Sequence, residues 1–277
     1  MAQLVPATTL HTAKMPTRVP LLDRLLDGGL LPGLLTIIHS NHGARSLKKL
    51  IGRLLEQHAH EGAVVIDGTN QFPALRLARW ARQQRKKPQE VLSKFKILRP
   101  FNYHQCTEAA TKYLETEVQN HPSRLLLVLG CPDIYLSEEA AKNLSYDQRE
   151  ATFALLELHQ ALRTIQSLTM KYDLCTIITA GSIYRYPLGG PYLRTSAGVV
   201  IRCRQDASHW EYTLDQHPFL PPRSISHPLI SKKTTRSSLS QWLAPFQGTG
   251  QPRKISQEKR LQNGGSANLT KWIASIG

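Results

Sequence analysis

The strongest constraint on this chain is a set of short runs that are apolar at almost every position. They are Leu34–Ile38, Ala63–Asp67, Phe95–Leu98, Leu125–Leu129 and Thr176–Thr179. Helix-length segments lie between them. Ser46–His58, Pro73–Gln84, Gln105–Gln119 and Gln148–Tyr172 carry apolar residues at spacings of three and four. A strand that is apolar on both faces needs cover on both faces. Strands alternating with helices give that cover in a mostly parallel sheet, so the expected class is α/β. Two further runs, Val199–Arg204 and Trp210–Asp215, are separated by a polar turn. They read as an antiparallel hairpin closing the sheet.

Apolar and aromatic residues make up 41% of the 277 residues, enough for a sizeable core. No apolar run approaches the length of a membrane span, so no membrane partner is expected. The four cysteines (Cys106, Cys131, Cys175 and Cys203) form no C-x-x-C pair. They read as buried free thiols of an intracellular protein, in cytoplasm and nucleoid or in a nucleus. No metal-ligand spacing stands out among the histidines.

Charge narrows the partner. Thirty-five Lys and Arg against 20 Asp and Glu leave +15 at neutral pH. Such an excess favours a polyanion, with nucleic acid first. It is uneven along the chain. Residues 1–16 read as a flexible leader and 17–230 as the folded core. Residues 231–277 read as a basic tail, with eight Lys or Arg against a single acid, Glu258. The tail holds two similar segments, one with Leu239, Trp242 and Leu243, the other with Leu269, Trp272 and Ile273. Exposed Trp and Leu point to a docking partner.

The stretch LLTIIHSNHGARSLKKL (Leu34–Leu50) has the outline of strand, phosphate loop and helix. A working loop of this kind reads G-x-x-x-x-G-K-[ST]. Here the corresponding residues run from His39 to Ser46, with Arg45 in the lysine position and only the final hydroxyl matching.

Taken together, the core resembles the RecA/RadA recombinases and their paralogs. The resemblance rests on Leu22-Asp23, Leu25-Leu26, Gly28-Gly29, Gly33 and Thr36 before the first strand, then Val65-Ile66-Asp67 with Phe72. It continues through Val91–Gln105, Leu188–Arg204 and Phe219–Pro222, and covers roughly residues 17–230. It implies a RecA-like core, a mostly parallel sheet flanked by helices with a C-terminal antiparallel hairpin. It also implies four catalytic positions, and this chain departs at each. The loop lacks its glycines and lysine. The family's catalytic Glu is replaced by Thr69. The acid ending the Leu125–Leu129 strand becomes Leu129, with Asp133 four residues on. The polar pair sensing the γ-phosphate becomes Ala180-Gly181. Phosphoryl transfer depends on placed charge, so four such losses argue against ATP hydrolysis. No cofactor is required on this reading. A helix N-terminus and the residues Gly43, Arg45 and Ser46 leave room for weak binding of ATP and Mg²⁺.

By the same resemblance, DNA would meet the loop Gly181–Arg194. Tyr184, Arg185, Tyr186, Tyr192 and Arg194 there combine stacking rings with phosphate-neutralising guanidinium groups. Arg76, Arg79 and Arg82 recur every three residues on one helix and form a second candidate stripe. The tail segments resemble the hydrophobic half of sliding-clamp motifs without the opening glutamine, so a clamp or another repair factor is the expected tail partner. The Phe-x-x-Ala peptide of filament-forming relatives would precede the core, but the first phenylalanine is Phe72. A complex with another RecA-like subunit is expected instead. The function expected is that of a non-catalytic paralog assisting recombination and repair on single-stranded or branched DNA. A DNA-dependent ATPase and a pure protein-interaction module remain open.

Overall fold

The computed structural model describes residues 13–42, 44–136, 148–183, 186–187, 190–205 and 209–228. The tail segments expected to dock a partner lie outside these residues.

The elements run in order as follows. Helix α1 (Pro20–Leu25) precedes strand β1 (Leu35–Ser40), which leads through a 3₁₀ turn (Ala44–Leu47) into α2 (Lys48–Gln57). Next come β2 (Ala63–Asp67), α3 (Ala74–Gln83), α4 (Pro88–Leu92) and β3 (Phe95–Leu98). A helix follows in two parts, α5 (Tyr103–Glu108) and α6 (Leu114–Gln119), joined by a π-helical turn. Then come β4 (Leu125–Leu129), α7 (Cys131–Tyr135), α8 (Gln148–Lys171) and β5 (Cys175–Ile183). The short β6 (Tyr186–Pro187), α9 (Gly190–Ser196), β7 (Val199–Gln205), β8 (His209–Gln216) and β9 (Arg223–Pro228) complete the described chain.

The sheet order is β3-β2-β4-β5-β1-β7-β8-β9, with β6 paired to β5. Strands β3 to β7 along that order are parallel, and β7, β8 and β9 are antiparallel. The expected hairpin is therefore present and gains a third strand. Alternation within each strand feeds two separate cores. Ile38, Val65, Leu127 and Ile177 pack with Leu54, Leu55 and Leu77 of α2 and α3. Ile37, Val64, Leu126 and Ile178 pack with Leu114, Leu158 and Leu162 of α6 and α8. Both-faced apolar strands and cover on both sides are thus one fact. All four cysteines are free and buried.

The first described residues belong to the core. Met15 forms a two-way backbone bridge with Leu30, and Lys14 Nζ donates to the carbonyls of Leu26 and Asp27. The leader expected over 1–16 therefore gives way to ordered contacts by Lys14. Gly29 permits the bridge: its φ is +143°, and a Cβ there would strike the Met15 backbone.

At the other described end, Arg223 on β9 donates from Nε and Nη2 to the Leu25 carbonyl at 2.8 and 2.6 Å. The C-terminal turn of α1 is thereby clasped to the last strand.

Candidate functional site

Ligands of open α/β sheets gather beyond the C-terminal ends of the strands. Here that rim is built from the ends of β2, β4, β5, β1 and β7.

At the end of β1, His39 and Ser40 are still within the strand and fully buried. Gly43 lies outside the described residues. Ser46 donates to Ser40 Oγ at 2.7 Å, so the hydroxyl expected to hold Mg²⁺ is engaged with a neighbouring hydroxyl. His42 turns toward β7 and donates from Nε2 to the Gln205 carbonyl at 2.9 Å. His39 points the same way, with its Nε2 4.0 Å from Asp215 Oδ2 on β8. Both loop histidines are thus committed to the β7–β8 side.

At the end of β2, Asp67 is fully buried. Its carboxylate accepts from the Gln71 and Phe72 amides at 2.7 and 2.9 Å, and Arg99 approaches to 3.5 Å. Asp67 thereby closes the loop that holds Thr69. The Thr69 hydroxyl accepts from the Gln71 side-chain amide. Gln71 is a buried polar residue at this rim that the sequence did not single out.

At the end of β4, Gly130 adopts φ +62°, and a Cβ there would meet the Thr69 side chain. The chain turns there into α7, which carries Asp133. Asp133 Oδ1 accepts from the Gly181 amide on β5 at 2.8 Å. Burial raises its pKa to about 6. Ala180 and Gly181 remain inside β5, whose strand runs four residues past the expected end. Gly181 is the register partner of Ser40 on β1. Asp133, Gly181, Ser40 and Ser46 therefore form a connected row across three strand ends.

Within the proposed DNA loop, β5 and β6 pair antiparallel, Ser182 with Pro187 and Ile183 with Tyr186; Tyr184 and Arg185 lie outside the described residues. Tyr192 and Arg194 stand on α9. The Tyr192 ring stacks on His159 of α8 at 3.6 Å between centroids, and its hydroxyl accepts from Arg163 Nε at 3.1 Å. The structure thus places Tyr192 against α8. The arginine stripe is also divided. Arg76 gives two hydrogen bonds to Glu56, at 2.6 and 3.0 Å, while Arg79 and Arg82 are exposed.

No protein-family model matches the chain, and no curated protein sequence does. A solved structure does. The crystal structure of the RadB recombinase superposes with a TM-score of 0.61 at 20% identity, covering 76% of this chain and 93% of that one. The chain has a RecA/RadA-type recombinase fold. At that identity the likeness establishes architecture, and what the rim does must be argued from its own side chains.

Proposed function

We propose that this protein is a RecA-fold accessory factor of homologous recombination and DNA repair, binding single-stranded or branched DNA without hydrolysing ATP. One observation carries the reading. Among the described residues, several polar groups at the nucleotide end of the sheet are turned on one another: Ser46 on Ser40, Asp67 on two backbone amides, and one Asp133 oxygen on the Gly181 amide while the other has no partner. An active site for phosphoryl transfer keeps such groups aimed at the ligand. The charge of +15 and the exposed Arg79 and Arg82 support a polyanionic partner. Tyr184, Arg185, Tyr186 and Arg194 are the residues assigned to DNA contact. Its protein partner would be another RecA-like subunit, and its tail would dock a clamp or another repair factor. Weak ATP and Mg²⁺ binding at Gly43, Arg45 and Ser46 is compatible with this role.

The test has two measurements. Phosphate release with ATP, Mg²⁺ and single-stranded DNA should stay at background. Binding to a fluorescent oligonucleotide should weaken steeply with salt, and weaken again in a Tyr184→Ala, Arg185→Ala double variant. Robust turnover that vanishes in Arg45→Ala would overturn the reading. A second reading, a protein-interaction module, is favoured by the packing of Tyr192 against His159. Salt-insensitive binding untouched by the double variant would select it.

A further inference from the structure

The corner where α3 turns into α4 lies at the opposite end of the sheet from the candidate rim. It packs beside His60, which precedes β2, and Lys94, which precedes β3. The first residues of those strands, Ala63 and Phe95, are register partners. Through β4 they are level with Cys175, the first residue of β5. Ile183, at the far end of β5, lies about 26 Å away at roughly 3.3 Å per residue. The corner and the 181–194 loop are therefore separate surfaces.

Arg82, Arg85, Lys86, Lys87 and Lys94 gather at this corner. Arg82 and Arg85 are exposed and have no acidic partner among the described residues. Lys86 Nζ donates to His60 Nε2 at 2.7 Å, and Lys94 Nζ donates to the His60 carbonyl at 2.8 Å. Both ammonium groups are thus held in place by acceptors other than carboxylates, which leaves their charge uncompensated. Two carboxylates lie near. Glu90 stands 3.3 Å from the exposed Lys87, and Glu61 is matched by Arg18 at 3.6 Å. Setting Glu90 against the five cations leaves a surplus of four.

Arg85 is the sharpest sign. Helix α3 ends in a Schellman turn: the Lys86 amide donates to the Ala81 carbonyl at 2.8 Å, and the Arg85 amide to the Arg82 carbonyl at 3.0 Å. The left-handed position of such a turn usually holds glycine, yet here it is an arginine at φ +55°. Basic residues suit the negative end of a helix dipole. Lys86 and Lys87 already serve that end, and the dipole calls for no side chain in the left-handed position. The corner also lacks the means for other contacts. Trp80 is half-buried, with Lys86 Nζ 5.5 Å over its ring centroid. No large apolar or aromatic side chain is exposed between Ala78 and Lys96.

We propose that the α3–α4 corner is a second nucleic-acid site, which takes the phosphate backbone of a duplex without reading its bases. Charge without stacking rings suits a duplex, whose bases are already stacked on one another. Charge without exposed apolar side chains gives no anchor in a membrane. The site rests on the nucleic-acid reading above for its ligand class alone and uses no residue of the 181–194 loop, so each can fail by itself. With one surface at either end of the sheet, the protein would hold a duplex and a single strand at once.

The experiment uses the full chain and measures binding to fluorescent hairpin duplexes of two unrelated sequences, to oligo(dT), and to vesicles of phosphatidylcholine and phosphatidylserine. Arg85→Gly is the decisive variant. It relieves the left-handed arginine, so thermal stability should hold or rise. Duplex affinity should nevertheless fall about fivefold, with a salt slope lower by about one, equally for both sequences. A merely structural Arg85 would not lose affinity while keeping stability. Adding Arg82→Gln and Lys87→Gln should bring the loss to about fiftyfold, with oligo(dT) binding kept within about twofold. If the triple variant leaves duplex affinity unmoved while oligo(dT) responds to the Tyr184→Ala, Arg185→Ala double variant, the corner is wrong and the loop reading stands. If duplex affinity falls while oligo(dT) ignores the loop variant, the corner stands and the loop reading falls. Unequal losses for the two duplex sequences would overturn backbone recognition. If no duplex binds and the corner variants release acidic vesicles, the corner meets a membrane surface and the proposal is overturned. Binding of neither nucleic acid refutes both.

Discussion

Asp67 and His39 occupy equivalent places. Each lies at the C-terminal end of a central parallel strand, each is wholly buried, and each is polar. Their surroundings differ. Asp67 has two backbone amides and a nearby guanidinium for its carboxylate. His39 has neither ring nitrogen bonded, and a carboxylate stands off at 4.0 Å. A buried polar group whose bonds are filled by its own loop holds that loop in shape. One left with open valences holds nothing in shape through hydrogen bonds.

The sharpest way to break this contrast is Asp67→Ala. It strands two buried amides and the Arg99 charge, and should cost about 3–5 kcal/mol in urea unfolding. His39→Gln should cost far less, since no hydrogen bond is lost. Comparable losses at the two positions would erase the distinction.

Next in size is the pH dependence, where two rim groups pull in opposite directions. The His39 pKa is lowered from 6.5 to about 4, so the unfolded chain takes up the proton first. Its contribution is complete above pH 6.5 and is lost as pH falls toward 4. The Asp133 pKa is raised from 3.8 to about 6, so the folded chain holds the proton longer. That contribution is complete below 3.8 and is lost as pH rises through 6. Each effect is on the order of 3 kcal/mol. Between pH 4 and 6 the two largely cancel in the parent protein. Asp133→Asn should leave stability rising with pH across that window, and His39→Gln should leave it falling. Identical profiles for the two variants would contradict the assignment.

The smallest effect sets the floor of the comparison. Arg76 and Glu56 are joined by two short hydrogen bonds at a partly exposed position. A double-mutant cycle on this pair should give a coupling below about 1 kcal/mol. A larger value would mean that exposed pairs here rival the buried nodes.

Most of the frame was legible because burial on two faces writes itself into composition. Ala63–Asp67, Phe95–Leu98 and Leu125–Leu129 were bounded correctly for that reason. β5 was cut short because Ala180 and Gly181 carry no strand signature, although pairing with β1 holds them in the sheet. The π turn at Ala109–Tyr113 hid within a continuous helical pattern. α7, β6, α9 and β9 are short and punctuated by Gly or Pro, where local pattern is least informative. The rim was harder still. That His39 would face Asp215 depends on residues 176 positions apart, brought together by the crossing of β1 between β5 and β7. A loop motif that fails to match says what is missing. It does not say where the replacing side chains turn.

The clasp between Arg223 and the Leu25 carbonyl spans 198 positions of sequence. A nascent chain leaving the ribosome would expose the C-terminal carbonyl of α1 long before its guanidinium partner is translated, and β1 would wait for β7 as well. Closure of the sheet by β7, β8 and β9 must therefore come last, and such long-range pairing is intrinsically slow.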